Sequence, residues 1–278
     1  TIEEFGSQGD WPSNLQLLDW LAVDFSRNGW NTKRTLKQMI MSSAYRQNAQ
    51  VSKDLLKLDP ENRLLARGPR FRLQGEFIRD TILAASGLLV TDIGGRGVKP
   101  YQPPGLWNEV SLGGNVRFVQ DHGEKLYRRG MYTYWKRSAP APSLTIFDAP
   151  TREKCVLRRS RTNTPLQALV LLNDPQYIEA ARNLAQKVAL EAGDSLAARI
   201  VLAYRLATAH RPSFKTLNIL KAAYKEELAI FRKDPARAAK LLKVGESKRD
   251  ETIDAAEHAA LTIITSMILN LDATVTKG

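Results

Sequence analysis

Thr164-Pro165-Leu166-Gln167 begins the stretch of sequence that decides the fold. This tetrapeptide combines a residue type favoured at helix N-caps, a proline at the first helical position and a glutamine at the capping-box position. Asn173-Asp174-Pro175 then repeats the pairing of a cap residue with a proline. The pattern predicts two successive helices, over residues 165–173 and 175–190.

Both flanks of this stretch carry further helix signals. Ser195, Ser213 and Asp234 stand at N-cap positions before residues that continue in helical patterns. Towards the N-terminus, Ser13 and Gln16 have the spacing of a capping box. The further predicted helices are 14–28, 33–47 capped by Thr32, 73–86, 195–209, 214–231, a short one from Pro235, and 251–271.

Helical periodicity lapses between residues 88 and 161, where glycine and proline recur. An irregular segment of this length is unusual in a compact domain, so it is either functional or contains short elements, with residues 127–137 the best candidate for a strand or short helix. The predicted fold is mainly α, an antiparallel helical array with a long irregular Gly/Pro/Arg-rich insertion in the middle. Its parts would be residues 1–87, 88–161 and 162–278 of one continuous domain.

The composition favours an anionic partner. The 278 residues include 41 Lys and Arg against 29 Asp and Glu, a formal net charge of +12. Nucleic acid, acidic polysaccharide, an acidic domain and an anionic membrane surface would all be attracted to such a chain. Charge alone does not select among them, and specific binding of nucleic acid is not expected.

Cysteine and hydropathy exclude several classes of protein. The single cysteine, Cys155, allows no intrachain disulfide and no Cys-x-x-Cys-His haem attachment in this chain. The longest apolar stretch, residues 261–271, is much shorter than the roughly 20 residues of a membrane helix. We therefore expect no membrane span.

Common catalytic motifs are missing from the sequence. There is no His-Glu-x-x-His, Walker phosphate loop, Gly-x-Ser-x-Gly or Cys-x-x-Cys, and the run at residues 94–97 is interpreted as a turn. The three histidines lack metal-ligand spacing, so no metal site is predicted. His122 is the least ordinary of them, because it follows Asp121 in the irregular segment, where loops present functional groups.

Arginine and aromatic residues alternate between residues 125 and 161. Guanidinium groups bind carboxylate, sulfate and phosphate, and aromatic rings stack on sugars, so the pattern predicts a groove for an anionic ligand. The alternative is that these arginines pair with internal carboxylates such as Glu76, Asp80 and Asp148. The predicted ligand-binding residues are Arg72, Arg79, Arg128, Arg129, Tyr132, Trp135, Arg137, Arg158 and Arg159.

Several short sequence motifs, taken in chain order, resemble the motifs of one protein family. They are Asn14-x3-Leu18-Asp19-Trp20-Leu21-Ala22, Gly29-Trp30, Ser42-Ser43-Ala44-Tyr45-Arg46-Gln47, Asp59-Pro60-Glu61-Asn62-Arg63, Arg72-Leu73-x2-Glu76-x2-Arg79-Asp80, Tyr127-Arg128-Arg129-x2-Tyr132, Phe147-Asp148-Ala149-Pro150, Thr162-Asn163-Thr164-Pro165-Leu166-Gln167-Ala168-Leu169 and Asn270-Leu271-Asp272. The chain resembles the planctomycete cytochrome-c-associated C-terminal domain, domain of unknown function 1553, along nearly its whole length. It departs from the family at Asn14, where histidine is usual, and at Ala273, where an acidic residue is usual.

The resemblance implies a setting rather than a reaction. Such domains end exported multidomain proteins, so the chain would be periplasmic or extracellular and would have upstream domains as partners. The abrupt start at Thr1 fits an origin inside a longer polypeptide. Haem c would belong to an upstream cytochrome-like module, and no cofactor is expected in this chain. The gene repertoires around the family hint at work on glycans.

Three functions follow as hypotheses. The first is a binding or scaffold module for an anionic glycan or for the upstream domains. The second is a glycan-active enzyme with acid/base carboxylates. The third is a docking partner for the cytochrome module. Carboxylates together in an open pocket would favour the enzyme, and carboxylates buried against arginines would favour the scaffold. The weak catalytic candidates are Glu76, Asp80, Asp121, His122 and Asp148.

Overall fold

The structure is a computed structural model that describes residue 4, residues 6–110, residue 113 and residues 116–278. The chain divides into two compact units, residues 1–71 with 276–278 and residues 72–275. The boundaries inferred from the sequence, after residues 87 and 161, differ from this division and stay a prediction.

The described residues of the first unit form three helices, α1 (Leu15–Arg27), α2 (Thr32–Met41) and α3 (Lys53–Leu58). Their N-caps are Asn14, Asn31 and Ser52, whose side chains each accept a backbone N–H of the first turn. The caps expected at Ser13 and Thr32 were therefore each displaced by one residue, because the neighbouring asparagine provides the acceptor. Neither α1 nor α2 contains a buried residue.

The second predicted helix, residues 33–47, is shorter than expected. It ends at Met41 because Ser42 leaves the helical conformation, with φ −66° and ψ 150°. The Ser42 hydroxyl donates to the carbonyl of Met39 and accepts the N–H of Tyr45, which fixes the turn that follows. Local side-chain bonding of this kind competes with the helix ladder.

The second unit is an array of helices, which confirms the mainly α prediction. The only sheet among the described residues, a two-stranded pairing of β1 (Phe71–Arg72) with β2 (Thr276–Lys277), belongs mainly to the first unit. The helices of the second unit are α4 (Gly75–Ser86), α5 (Leu106–Glu109), α6 (Pro142–Thr145), α7 (Pro165–Asn173), α8 (Pro175–Glu191), α9 (Leu196–Thr208), α10 (Phe214–Lys233), α11 (Pro235–Leu242), α12 (Ala255–Leu269) and α13 (Asp272–Val275).

Helices α8 and α12 form the centre of this array. Their buried faces meet through residues such as Ala181, Leu184, Val188, Ile264 and Ile268, which are almost completely inaccessible to solvent. Helices α4, α7, α9 and α10 pack around this pair. Removal of this apolar surface from water is the main stabilising contribution of the unit.

The helix-start signals predicted for α8 and α7 differ in how their side chains bond. Asp174 caps α8 as expected, because its side chain accepts the N–H of Gln176. Gln167 does not complete a capping box at Thr164. Its side-chain amide instead donates to the Ile146 carbonyl and the Thr162 hydroxyl, and it therefore ties α7 to the end of the irregular segment.

The irregular segment contains short elements of its own. Residues 127–137, expected to form a strand or short helix, contain a 3-10 turn at Gly130–Tyr132, and another turn spans Gly123–Tyr127. Two isolated parallel bridges join Val90 to Arg128 and Val98 to Thr133. The stretch from residue 90 to 98 therefore runs beside residues 127–134. Within the described part of the chain, no helix is long and apolar enough to span a membrane.

Candidate anion-binding site

A cleft of about 370 Å³ gathers four basic side chains in the irregular segment. We call it the basic cleft, and its lining residues are Arg96, Gly97, Val98, Lys99, Asp121, Lys125 and Arg128. Asp121 is the only carboxylate among these lining residues, and it lies 3.7 Å from the Lys125 ammonium. The positive charges exceed the negative charge, so the cleft is suited to an anion.

Backbone hydrogen bonds hold the two sides of the basic cleft together. The N–H of Val98 donates to the Tyr132 carbonyl at 2.8 Å, and the N–H of Tyr134 donates to the Val98 carbonyl at 2.7 Å. Lys99 and Asp121 are joined twice, by Lys99 N–H to the Asp121 carboxylate at 2.8 Å and by Asp121 N–H to the Lys99 carbonyl at 2.9 Å. Residues 98–99 therefore have fixed positions before any ligand arrives.

Aromatic rings position the cations of the cleft. The Arg128 guanidinium lies 4.0 Å from the centroid of the Tyr132 ring. The Lys99 ammonium lies 5.4 Å from the ring centroids of both Trp107 and Tyr134. Such cation–π contacts stabilise the cations and fix their directions. Within the alternating stretch of residues 125–161, Arg128 therefore stacks on Tyr132.

The glycine run beside the cleft is a turn around Arg128, in agreement with its interpretation from the sequence. The guanidinium donates to the carbonyls of Asp92 and Arg96 at 3.1 and 3.3 Å, and also to that of Gly94. Gly94 and Gly95 have φ angles of +85° and +83°, which other residues rarely adopt. Arg128 therefore has a structural role as well as a place in the cleft wall.

A larger apolar cleft of about 620 Å³ also lies in the second unit. It is lined by Tyr101, Gln102, Pro103, Pro104, Gln120, Pro142, Ser143, Ile146, Leu169, Val170, Asn173, Asp174 and Pro175. None of these described lining residues is Arg or Lys. The Gln102 side-chain nitrogen is buried and has no hydrogen-bond partner within the described part of the chain.

Arg79, predicted to bind ligand, is instead completely buried. Its Nε donates to Oε1 of Gln176 at 2.6 Å, and its other nitrogens donate to the carbonyls of Leu126 and Arg128. Burial lowers the pKa of its guanidinium. Asp80 beside it accepts the N–H of Gly130 at 2.6 Å, and burial raises the pKa of that carboxyl. Both side chains join α4 to residues 126–130.

Glu76 and Asp148, the other carboxylates considered for catalysis, also have structural partners. Glu76 forms a 2.7 Å ion pair with Arg159, which was predicted to bind ligand. Asp148 accepts both the N–H and the hydroxyl of Thr162. Glu76, Asp80 and Asp148 do not line either of the two clefts. The arrangement favours structural roles for these carboxylates.

Asp121 and His122 are directed to different partners. Asp121 lies in the basic cleft, whereas Nδ1 of His122 lies 2.7 Å from Oε1 of Glu246. Burial opposes ionisation of Glu246, but hydrogen bonds from His122, Gly123 and Gln120 prevail, so its pKa is lowered. His122 thus helps to hold the loop that carries Glu246.

The remaining predicted ligand residues do not line the basic cleft. Trp135 donates from its indole nitrogen to the Thr151 carbonyl and is covered by Arg152, 4.8 Å from its ring centroid. Arg137 and Arg158 are exposed, and Arg72 and Arg129 are half-buried. The Nε of Arg72 is buried without a hydrogen-bond partner among the described residues.

Sequence reasoning missed three of the four cations of the basic cleft, Arg96, Lys99 and Lys125. Lys125 lies in the basic stretch, but the pairing of residues 98 and 133 that brings Arg96 and Lys99 beside it leaves no local sequence signal. No group of three or more His, Cys, Asp or Glu residues suitable for a metal ion occurs within the described ranges.

The chain was compared with known proteins. The family described as "PSD1: Protein of unknown function (DUF1553)" matches residues 1–224. Neither the curated proteins nor the solved structures that were compared with the chain gave a match. Because the family match spans most of the 278 residues, the chain belongs to the DUF1553 family of proteins of unknown function.

Proposed function

We propose that this chain is a binding module that holds a sulfate or carboxylate group of an anionic polysaccharide in the basic cleft. The observation that carries the proposal is the convergence of Arg96, Lys99, Lys125 and Arg128 on one cleft with a single carboxylate. Arg128 contributes mainly its charge, because its guanidinium already donates to three carbonyls. Charge-assisted hydrogen bonds from the other three cations are about twice as strong as those between neutral groups.

The position of the catalytic candidates supports binding over catalysis. General acid/base hydrolysis of a glycosidic bond needs two carboxyl groups that flank the substrate. Glu76 and Asp148 are engaged by Arg159 and Thr162, and Asp80 is engaged by a backbone N–H. Asp121 is the only carboxylate among the described lining residues of the basic cleft.

The biological setting is part of the same proposal and rests on the family resemblance. The module would work outside the cytoplasm, next to upstream domains of its own polypeptide. Any haem c would belong to those domains. A polysaccharide ligand is consistent with that location.

The proposal predicts saturable binding of a sulfated tetrasaccharide, such as one from chondroitin 6-sulfate, measured by calorimetry at several salt concentrations. Lys125→Ala and Lys99→Met should each weaken binding about fivefold or more, since each removes one charge worth about 1 kcal/mol at contact distance in water. Lys99→Met keeps an apolar stem over Trp107. Affinity should fall with salt, because exposed charges are screened over about 8–10 Å.

The matched control removes two exposed charges far along the sequence, Lys225→Ala with Lys240→Ala. This double variant should bind as tightly as the unmodified protein. Equal weakening by the control, or equal affinity for the unsulfated tetrasaccharide, would show a general electrostatic surface and overturn the proposal.

A further inference from the structure

Neighbouring residues of the same two chain segments line the basic cleft and the apolar cleft. Residues 96–99 line the basic cleft and residues 101–104 line the apolar cleft. On the other segment, Asp121 lines the basic cleft and Gln120 lines the apolar cleft. Lys99 and Tyr101 are two residues apart, so their Cα atoms lie within about 7 Å of each other.

Hydrogen bonds hold these segments on the side of each cleft. The reciprocal hydrogen bonds between Lys99 and Asp121 join them on one side. On the other side, the Tyr101 hydroxyl accepts the N–H of Glu246, and the Gln120 amide donates to the Glu246 carboxylate at 3.1 Å. Both clefts thus have walls that are formed in advance, which lowers the entropic cost of binding.

The lining of the apolar cleft suits an uncharged sugar ring. The ring of Tyr101 and the prolines offer apolar faces, and a cleft of about 620 Å³ falls in the range of ligand sites, roughly 300–1,000 Å³. Amide and carboxyl groups at Gln102, Asn173 and Asp174 lie among these apolar faces. Asn173 donates to the Leu169 carbonyl and Asp174 accepts the N–H of Gln176. Sugar hydroxyls, unlike an alkyl chain, can add further hydrogen bonds to such groups.

We infer that the two clefts form one bipartite site for an acidic oligosaccharide, with a sulfated or uronic unit in the basic cleft and an uncharged unit in the apolar cleft. This inference rests on the proposed function, because it assigns the anionic group to the same four cations. It adds that recognition extends to a neighbouring neutral sugar.

The test compares three small probes by titration followed with NMR. They are N-acetylglucosamine 6-sulfate, the disaccharide that joins an uncharged galactose to it, and octyl sulfate. The disaccharide should bind at least tenfold more tightly than the monosaccharide sulfate. Leu169→Trp, which adds bulk at the apolar cleft, should abolish this gain and leave the affinity for the monosaccharide sulfate unchanged.

Leu190→Trp is the matched control, because Leu169 and Leu190 are 53% and 56% exposed and Leu190 does not line the cleft. The Leu190→Trp variant should still bind the disaccharide at least tenfold more tightly than the monosaccharide sulfate. Equal binding of the two sugars, or a gain that survives Leu169→Trp, would overturn the bipartite site and leave the proposed function standing. Tighter binding of octyl sulfate than of the disaccharide would also overturn it, in favour of an alkyl ligand. Failure of both sulfated sugars to bind would overturn the proposed function together with this inference.

Discussion

The Nε of Arg79 donates a 2.6 Å hydrogen bond to Oε1 of Gln176, and this contact joins α4 to α8 inside the second unit. Arg79→Met should lower the free energy of unfolding by about 3 kcal/mol, because it leaves the Gln176 amide oxygen and two carbonyls without their buried donor. Arg79→Lys should also destabilise, since an ammonium lacks the fork that reaches three acceptors. Urea unfolding measures both, and exposed Arg158→Met provides the control. A loss below about 1 kcal/mol would contradict this role.

Tyr127 and Glu179 form a second buried contact, between the irregular segment and α8. The tyrosine hydroxyl donates to Oε1 of Glu179 at 2.8 Å, and Glu179 is completely buried. Tyr127→Phe should lower the free energy of unfolding by about 1.5–3 kcal/mol, the usual contribution of a hydrogen bond to a charged group. Tyr134→Phe is the matched control, because Tyr134 is 49% exposed, and it should stay within about 0.5 kcal/mol of the unmodified protein.

Gly245 allows its loop to approach Glu179 closely. A Cβ atom at this position would lie 2.2 Å from Cδ of Glu179, and the φ angle is +87°. Gly245→Ala should therefore destabilise the second unit through both steric overlap and backbone strain, by about 2–4 kcal/mol. Gly193→Ala separates the two effects, since Gly193 has φ +69° with nothing within 4 Å of the added atom. Equal thermal unfolding of the two variants would argue against the close approach.

His258 should make stability depend on pH. Burial lowers the pKa of its imidazole most strongly. A hydrogen bond with the Arg182 carbonyl opposes this, but the charges of Arg249 and Arg182 add to the lowering, so the pKa is lowered overall. The unfolded chain takes up a proton near pH 6.5 and the folded chain only at lower pH, so the free energy of unfolding should decrease as the pH falls below about 6.5. The slope from this group is at most about 1.4 kcal/mol per pH unit.

His258→Gln should flatten that decrease, and exposed His210→Gln should not. Urea unfolding at pH 7, 6 and 5 gives the comparison. Parallel profiles for His258→Gln and the unmodified protein would mean that other groups control the acid sensitivity.

The helical array could be predicted from the sequence because its signals are local. Asp174, Ser195 and Ser213 cap α8, α9 and α10 through hydrogen bonds to their own first turns, and such bonds need no tertiary partner. The last predicted helix, which corresponds to α12, was predicted four residues too long at its start. It begins at Ala255 because Asp254, rather than Asp250, accepts the N–H of Glu257.

The candidate site was less predictable because its contacts are long-range. Arg128, Arg159 and Tyr132 were recognised as a basic and aromatic set, but the sequence does not reveal that Arg159 pairs with Glu76. The position of Lys99 depends on pairing with residues more than twenty positions away. Charge and composition therefore predicted a basic candidate site, whereas the tertiary fold determined which cations line the basic cleft.

Asp121→Asn distinguishes binding from catalysis at the basic cleft. The carboxylate of Asp121 accepts the N–H of Lys99 and lies 3.7 Å from the Lys125 ammonium, so it opposes an anionic ligand. An asparagine oxygen can accept the same N–H, and the substitution removes about 1 kcal/mol of repulsion at a distance of 4 Å in water. Affinity for the sulfated tetrasaccharide should therefore rise about fivefold, most clearly at low salt.

Glu226→Gln is the control, because it removes one exposed carboxylate on α10 and should leave the affinity for the sulfated tetrasaccharide unchanged. The unmodified protein and Asp121→Asn are each incubated with the tetrasaccharide, and cleavage is followed by chromatography. If Asp121 acted as an acid or base, the unmodified protein would release shorter fragments and Asp121→Asn would not. If it serves only to hold Lys99 and to limit the positive charge of the cleft, neither protein should release fragments, and only the affinity should change.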